Sequence, residues 1–200
     1  MLKEKRIIRA NQIIQGFART ISNIPLSNSF NETVEKIITC KGKILTLGIG
    51  KAGIAMCKFS STLCSFGFPS CFLHPVEALH GDMGLIGTDD ILFVASNSGK
   101  TREILEFIKL AGKNNCIIGI TSHIDSPIRE RADIVIDMGK IVEEGELKIA
   151  PTSSILVMLA ITDSLALVAA EEKGLTLEGY GINHHAWYLG ALARNDNNIY

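Results

Sequence analysis

Five short apolar runs constrain this chain more than any other feature: KILTLG (43–48), SCFL (70–73), DILFVA (90–95), NCIIGIT (115–121) and DIVID (133–137). Apolar residues run on through them without polar alternation, which predicts strands covered on both faces. Helix-like segments at 51–66, 101–113 and 126–131 separate most of them. Strands alternating with helices predict a parallel sheet between helical layers, a doubly wound α/β domain. Ligands of such sheets bind beyond the carboxyl ends of the strands, so the loops there are where chemistry is sought.

Helical segments flank this core. Ile7, Ile8, Ile13, Ile14, Phe17 and Ile21 recur at helical spacing over 3–22. A second helix is predicted over 30–39, with Ser29 as N-cap and Glu32 completing a capping box. A long helix is predicted over 152–173, with Thr152 or Ser153 as N-cap and Lys173-Gly174 as its stop. Thr162, Asp163 and Ser164 interrupt its apolar run, which reads as a buried helix and not a membrane span. No repeat or linker divides the 200 residues. One domain over 1–200 is expected, with helices in 1–40 packing on a core of 41–195.

Net charge is −1, and no basic excess points to nucleic acid. The first residues, MLKEKRIIRANQ, lack the apolar stretch of a secretory leader. Cysteines 40, 57, 64, 71 and 116 form no CxxC pair. They are expected to be reduced, mostly as small core residues, in a cytoplasmic protein.

Three loops carry candidate chemistry. LGIGKAG (47–53) spells G-x-G-x-x-G after one strand and before a helix, and Gly50 sits at the turn. A dinucleotide reader also needs an acidic residue at the end of the second strand, about 20 residues on. Here that strand ends Cys71-Phe72-Leu73-His74, and Lys51 occupies the turn. The turn therefore suits another anion better than a dinucleotide, or no ligand at all. VASNSGKTREI (94–104) places Ser96, Asn97, Ser98 and Thr101 between a strand and a helix. Hydroxyls and free N–H groups at a helix N-terminus suit a phosphate monoester. A Walker A motif fails, because Val94 stands where a glycine is needed. The same residues would also serve as a plain N-cap. APTSSI (150–155) repeats the pattern with Thr152, Ser153 and Ser154. Acid–base candidates come from HPVEALHGDMG (74–84) and NHHAW (183–187).

GIGKAG, HPVEALHGDMG, SNSGKTREI and APTSS, in this order, resemble the sugar isomerase (SIS) domain. Within it the chain is similar to the D-arabinose 5-phosphate isomerases of the KpsF/GutQ type, over about residues 5–194. The resemblance implies a flavodoxin-like, three-layer αβα sandwich around a five-stranded parallel sheet. It implies interconversion of D-arabinose 5-phosphate and D-ribulose 5-phosphate, without metal or organic cofactor, feeding Kdo synthesis for lipopolysaccharide or capsule. It also implies a homotetramer with active sites near subunit interfaces, and no nucleic-acid or membrane partner. The family's acid–base and charged residues fall on Lys51, His80, Glu103, Glu143 and His184. Its phosphate-binding groups fall on Gly50, Ser96, Asn97, Ser98 and Thr101, with Thr152 and Ser153 nearby.

Three departures stand out. Ala52 replaces a serine that the family often carries, and NHHAWYLGALAR lacks the family's Pro-Gly-Gly. Most relatives continue into two CBS domains, whereas this sequence stops at Tyr200, so regulation through them is not expected. The implied chemistry passes through a cis-enediol. Glu143 or Glu103 would take the C2 proton, with Glu144 and Glu146 as alternatives to Glu143. His184 would open the ring or relay a proton, and Lys51 would stabilise the enediol oxygen or the phosphate. Two other functions stay open: isomerisation of a different phosphosugar, such as a hexulose 6-phosphate, and a sensor that binds a sugar phosphate without turnover.

Overall fold

The structure is a computed structural model and describes residues 3–111, 115–184 and 187–193. The chain opens with α1 (Lys3–Ser22) and α2 (Asn28–Thr39). It then alternates β1 (Ile44–Gly48), α3 (Lys51–Ser65), β2 (Ser70–Phe72), α4 (Pro75–Leu79), β3 (Ile91–Ala95), α5 (Arg102–Ala111) and β4 (Cys116–Thr121). The run closes with α6 (Pro127–Arg131), β5 (Ile134–Asp137) and α7 (Ser153–Glu172), followed by the short α8 (Leu177–Asn183) and α9 (Trp187–Ala193).

All five strands pair in parallel, in the order β2-β1-β3-β4-β5. That is the flavodoxin-like order, and its switch point lies between β1 and β3. Side chains alternate strictly between two cores. Ile44, Ile91, Phe93, Ala95, Ile118, Ile120, Ile134 and Ile136 face the layer that holds α2, α3 and α7. Leu45, Leu47, Leu92, Val94 and Ile117 face α4, α5 and α6. Phe59 of α3 meets Phe93 edge-on at 5.1 Å between ring centroids, a packing mode that suits opposed ring quadrupoles. With both faces covered, β1 and β3 are buried at every position.

α7 is long and apolar enough to cross a membrane. It lies instead against α1, α2 and α3 as the central helix of one layer. The hydroxyl of Thr162 is satisfied inside it by the Met158 carbonyl at 2.8 Å.

Several local expectations change. α2 begins at Asn28 with Ser27 as N-cap, so Ser29 lies inside the helix and no capping box forms. Ser29 pairs with the Ser27 hydroxyl at 2.9 Å, and Glu32 accepts from the Asn28 amide at 2.7 Å. Thr152 is the N-cap residue of α7, but its hydroxyl does not cap the helix. No described cysteine is fully buried. Cys57 and Cys64 are exposed on the outer face of α3, and the other three are half-buried. Burial pushes the Cys40, Cys71 and Cys116 thiols above their ordinary value. On α1, Ile7, Ile8 and Ile14 point outward, 69%, 58% and 61% exposed. The end of the helix expected over 101–113, at 112 and 113, lies outside the described residues, as does His185.

Asp90 ties together the starts of β1 and β3. Its Oδ1 accepts from Lys43 N at 2.8 Å, and its Oδ2 from Lys43 Nζ at 2.6 Å and Gly87 N at 2.7 Å. Burial pushes its carboxyl up, but the Lys43 ammonium and the two backbone donors prevail and hold it below the usual carboxylate range. A carboxyl whose folded pKa is depressed stabilises the fold above its unfolded value, near about 3.9, and loses that contribution as pH falls through the folded one. Asp90→Asn is expected to cost about 2–4 kcal/mol at neutral pH. It should also flatten the loss of stability below about pH 4. Urea melts at pH 7 and pH 3 check both; equal m-corrected losses at the two pH values would contradict this role.

Candidate functional site

The glycine turn is built by close packing. A Cβ on Gly53 would stand 2.7 Å from the Gly48 carbonyl oxygen, and one on Gly48 2.8 Å from Gly53 N. The first turn of α3 therefore rests directly on the end of β1. Gly50, the N-cap of α3, has φ +60°, which a side chain would strain, although space beside it is open. Lys51 follows, exposed and without an ion pair among the described residues.

The serine loop follows β3, next to β1. Ser96 and Thr101 pair through their hydroxyls at 2.8 Å, and Gly99 N donates to Ser96 Oγ at 3.1 Å. Asn97 is braced from β4's end: Ser122 Oγ donates to its Oδ1 at 2.7 Å and its carbonyl at 3.0 Å. The side-chain NH2 of Asn97 is then the part able to donate to a ligand. Ser98 Oγ accepts from Lys100 N at 3.2 Å. These bonds fix the loop before any ligand arrives.

Between the glycine turn, the serine loop and the start of α7 lies a cavity of about 240 Å³. Lys51, Ser96, Asn97, Ser98 and Thr101 line it, together with Ser154. The apolar part of its wall comes from Ile49, Ala52, Ala95, Pro151, Ile155 and Met158. It sits at the switch point between β1 and β3. Three helices, α3, α5 and α7, start at its edge. Their N-terminal N–H groups and dipoles favour an anion there.

Glu143 stands at the same helix start. Its Oε2 accepts from Thr152 N at 2.8 Å, Thr152 Oγ1 at 3.2 Å and Ser154 N at 3.3 Å. This carboxylate does the capping expected of Thr152. Glu144 turns the other way and occupies the space beside Gly16 of α1, where a Cβ would collide with it. Glu103 is half-buried in the first turn of α5, outside the cavity wall. Gly50, Thr152 and Ser153 border the cavity without lining it. No three His, Cys, Asp or Glu side chains gather as a metal site among the described residues.

The two histidines lie elsewhere. His80 is exposed at the end of α4, which packs on α5 in the other layer. His184 ends α8, with Nδ1 3.0 Å from the Tyr180 carbonyl and its ring stacked on Tyr180 at 4.0 Å. Neighbouring Asn183 donates to Ser65 O at 3.4 Å, at the far end of α3 from Lys51. The length of α3 therefore separates His184 from Lys51 by about 20 Å, at roughly 1.5 Å per residue.

Sequence reasoning bypassed Ser154 in favour of its two neighbours, and it missed the apolar wall. The helical period was the available signal: Ser154, Ile155 and Met158 share one face of α7, just after Pro151.

Fold and cavity together define a doubly wound αβα domain with a hydroxyl-lined site at its switch point. Residues 37–168 match the SIS domain, and the chain belongs to the SIS domain family. It is 37% identical to arabinose 5-phosphate isomerase KdsD of Pseudomonas aeruginosa over 82% of this chain and 51% of that protein. The chain spans about half the length of the curated relatives it matches. Among solved structures, a Bacteroides fragilis protein provisionally described as a phosphosugar isomerase involved in capsule formation is 38% identical. The match covers 90% of this chain and 98% of that one, with a TM-score of 0.88. The c3406 protein of E. coli CFT073, solved in complex with arabinose 5-phosphate, is 31% identical over 92% of this chain and all of that one, with a TM-score of 0.87.

Proposed function

We propose that this chain is an aldose–ketose isomerase that interconverts D-arabinose 5-phosphate and D-ribulose 5-phosphate. One observation carries the reading: three helix N-termini, Lys51 and the serine loop converge on one small cavity beside the Glu143 carboxylate. That convergence suits a monophosphate, and β2 ends without the acidic residue that a dinucleotide site uses. The arabinose 5-phosphate complex of the similar c3406 protein supports the five-carbon substrate. The capsule role described for the Bacteroides fragilis relative is consistent with a supply of Kdo for lipopolysaccharide or capsule, in a cytoplasmic setting.

Phosphate binding far from the reacting carbons supplies the energy that positions them. Glu143 is held through Oε2, so Oε1 is the oxygen that takes the C2 proton of the open-chain aldose. The carbonyl oxygen O1 receives a proton, giving the cis-enediol. Loss of the O2 proton and return of the first proton to C1 completes the ketose. Lys51 offsets the negative charge that develops on the enediol oxygens. Glu103 remains the alternative base.

His184 and His80 do not reach the cavity of their own chain. In this reading a second copy brings them to it, and the family's tetramer provides the copies. Outward-facing Ile7, Ile8 and Ile14 on α1 support an interface, because such an apolar stripe is seldom left in water.

Incubation with ribulose 5-phosphate in D2O, followed by NMR, tests the function. Deuterium is expected at C1 of the ketose and C2 of the aldose. Tight binding with no deuterium would make the protein a sensor. Exchange only with a hexulose 6-phosphate would move it to another isomerase.

A further inference from the structure

We propose that the Ser154 hydroxyl is a ligand-binding group of the cavity, donating to the phosphate ester from the wall opposite the serine loop. The inference rests on the sugar-phosphate reading above and adds to it a residue that the resemblance did not carry over.

Ser154 is fully buried, its Oγ has no hydrogen-bond partner among the described residues, and the residue lines the cavity. A buried hydroxyl without a partner is costly, and proteins seldom keep one. Seven hydroxyls within this chain's helices share one device. Thr20, Thr33, Thr39, Thr62, Ser65, Thr162 and Ser164 each donate to the carbonyl four residues back. Ser154 cannot, because the residue four back, Ala150, precedes the helix. Capping is closed to it as well, since Glu143 Oε2 already receives the N–H of Thr152 and of Ser154 itself. Ser154 lines the cavity, and an acceptor entering it is the partner inferred for the hydroxyl.

An oxygen-rich anion is the acceptor that the rest of the wall selects. Lys51 and the helix starts favour negative charge, and the other lining groups beside Ser154 are apolar: Pro151, Ile155 and Met158. Ala52, on the same wall, offers no hydroxyl. Ser154 is then the donor on the α7 side of a phosphate held otherwise by the serine loop. Ser153 is the neighbouring case. That hydroxyl is equally buried and unpartnered, but it lies off the cavity wall, and nothing in the structure explains it.

Calorimetric titration with inorganic phosphate, together with thermal melts, tests the assignment on the 200-residue chain. Ser154→Ala is expected to weaken phosphate binding by about 10- to 100-fold, as for a hydrogen bond to a charged group. Ser164→Ala, further along the same helix with its hydroxyl on the Ala160 carbonyl, should leave it unchanged. Without ligand, Ser154→Ala should melt at or above the wild-type temperature, because it removes an orphaned polar group. It should also lose most of the phosphate-induced rise in Tm. Ser154→Cys keeps the volume with a weak donor and should show the same loss of affinity. Unchanged phosphate affinity in Ser154→Ala would overturn the inference and leave the sugar-phosphate reading intact. A Ser154→Ala melt several degrees below wild type without ligand would also overturn it, by revealing a structural bond. Wild-type protein that binds no phosphate would sink both, and the D2O experiment would separately report the loss of the isomerase reading.

Discussion

Glu143→Gln is expected to lower kcat by about 10³-fold while leaving KM within a few-fold, the loss that follows removal of a positioned general base. The substitution separates two roles of one carboxylate. The glutamine amide still offers a carbonyl oxygen to Thr152 N and Ser154 N, so the cap on α7 survives and Tm should stay within a few degrees. Glu143→Ala removes base and cap together. It should match the loss in kcat and also cost about 1–2 kcal/mol of stability, the usual effect of a lost N-cap. Steady-state kinetics and thermal melts on the two variants check both halves. Turnover by Glu143→Gln within about threefold of wild type would shift the base to Glu103 and leave Glu143 as a cap alone.

The second large effect concerns His184. His184→Ala is expected to reduce kcat by about 10²-fold or more, the loss that follows when an imidazole no longer moves a proton at oxygen. Its distance from Lys51 in the same chain makes a sharper experiment available. Subunits carrying Glu143→Gln are mixed with subunits carrying His184→Ala, then unfolded and refolded together. Where each site draws its glutamate from one copy and its histidine from another, random assembly restores both groups in about a quarter of sites. Activity should therefore recover to roughly that share of wild type from two nearly inactive parents. A mixture no more active than its parents would place the histidine's role within one chain, or nowhere in the reaction.

The strands and their connecting helices were legible because burial on both faces leaves an unbroken apolar signature. Ile91–Ala95 carries it whole, and the glycines at 48, 50 and 53 mark the turn beside it. The serine loop could be read because its residues are contiguous. What escaped is what depends on three-dimensional neighbours. α8 holds Gly179 and Gly181, both poor helix formers, so its place depends on its neighbours, including the end of α3. The cap of α7 comes from Glu143, nine residues before Thr152, and no local rule joins them. Ser154 differs from Ser153 only by a rotation of about 100° around the helix, which decides which hydroxyl meets the cavity. His184 follows the sequence motif but takes its place at the far end of α3 from Lys51. A linear pattern records that a residue is kept company by others, not whose cavity it serves.

α7 begins at the wall beside Glu143 and Ser154, and its C-terminal stop leads within a few residues to α8 and His184. Its 20 residues make a strut about 30 Å long. In an assembly that shares its sites, this one rod sets the span between the pocket a subunit keeps and the imidazole it lends. A tilt of the rod would misalign two reaction centres at once, so its tightly packed middle, far from any substrate, governs their spacing.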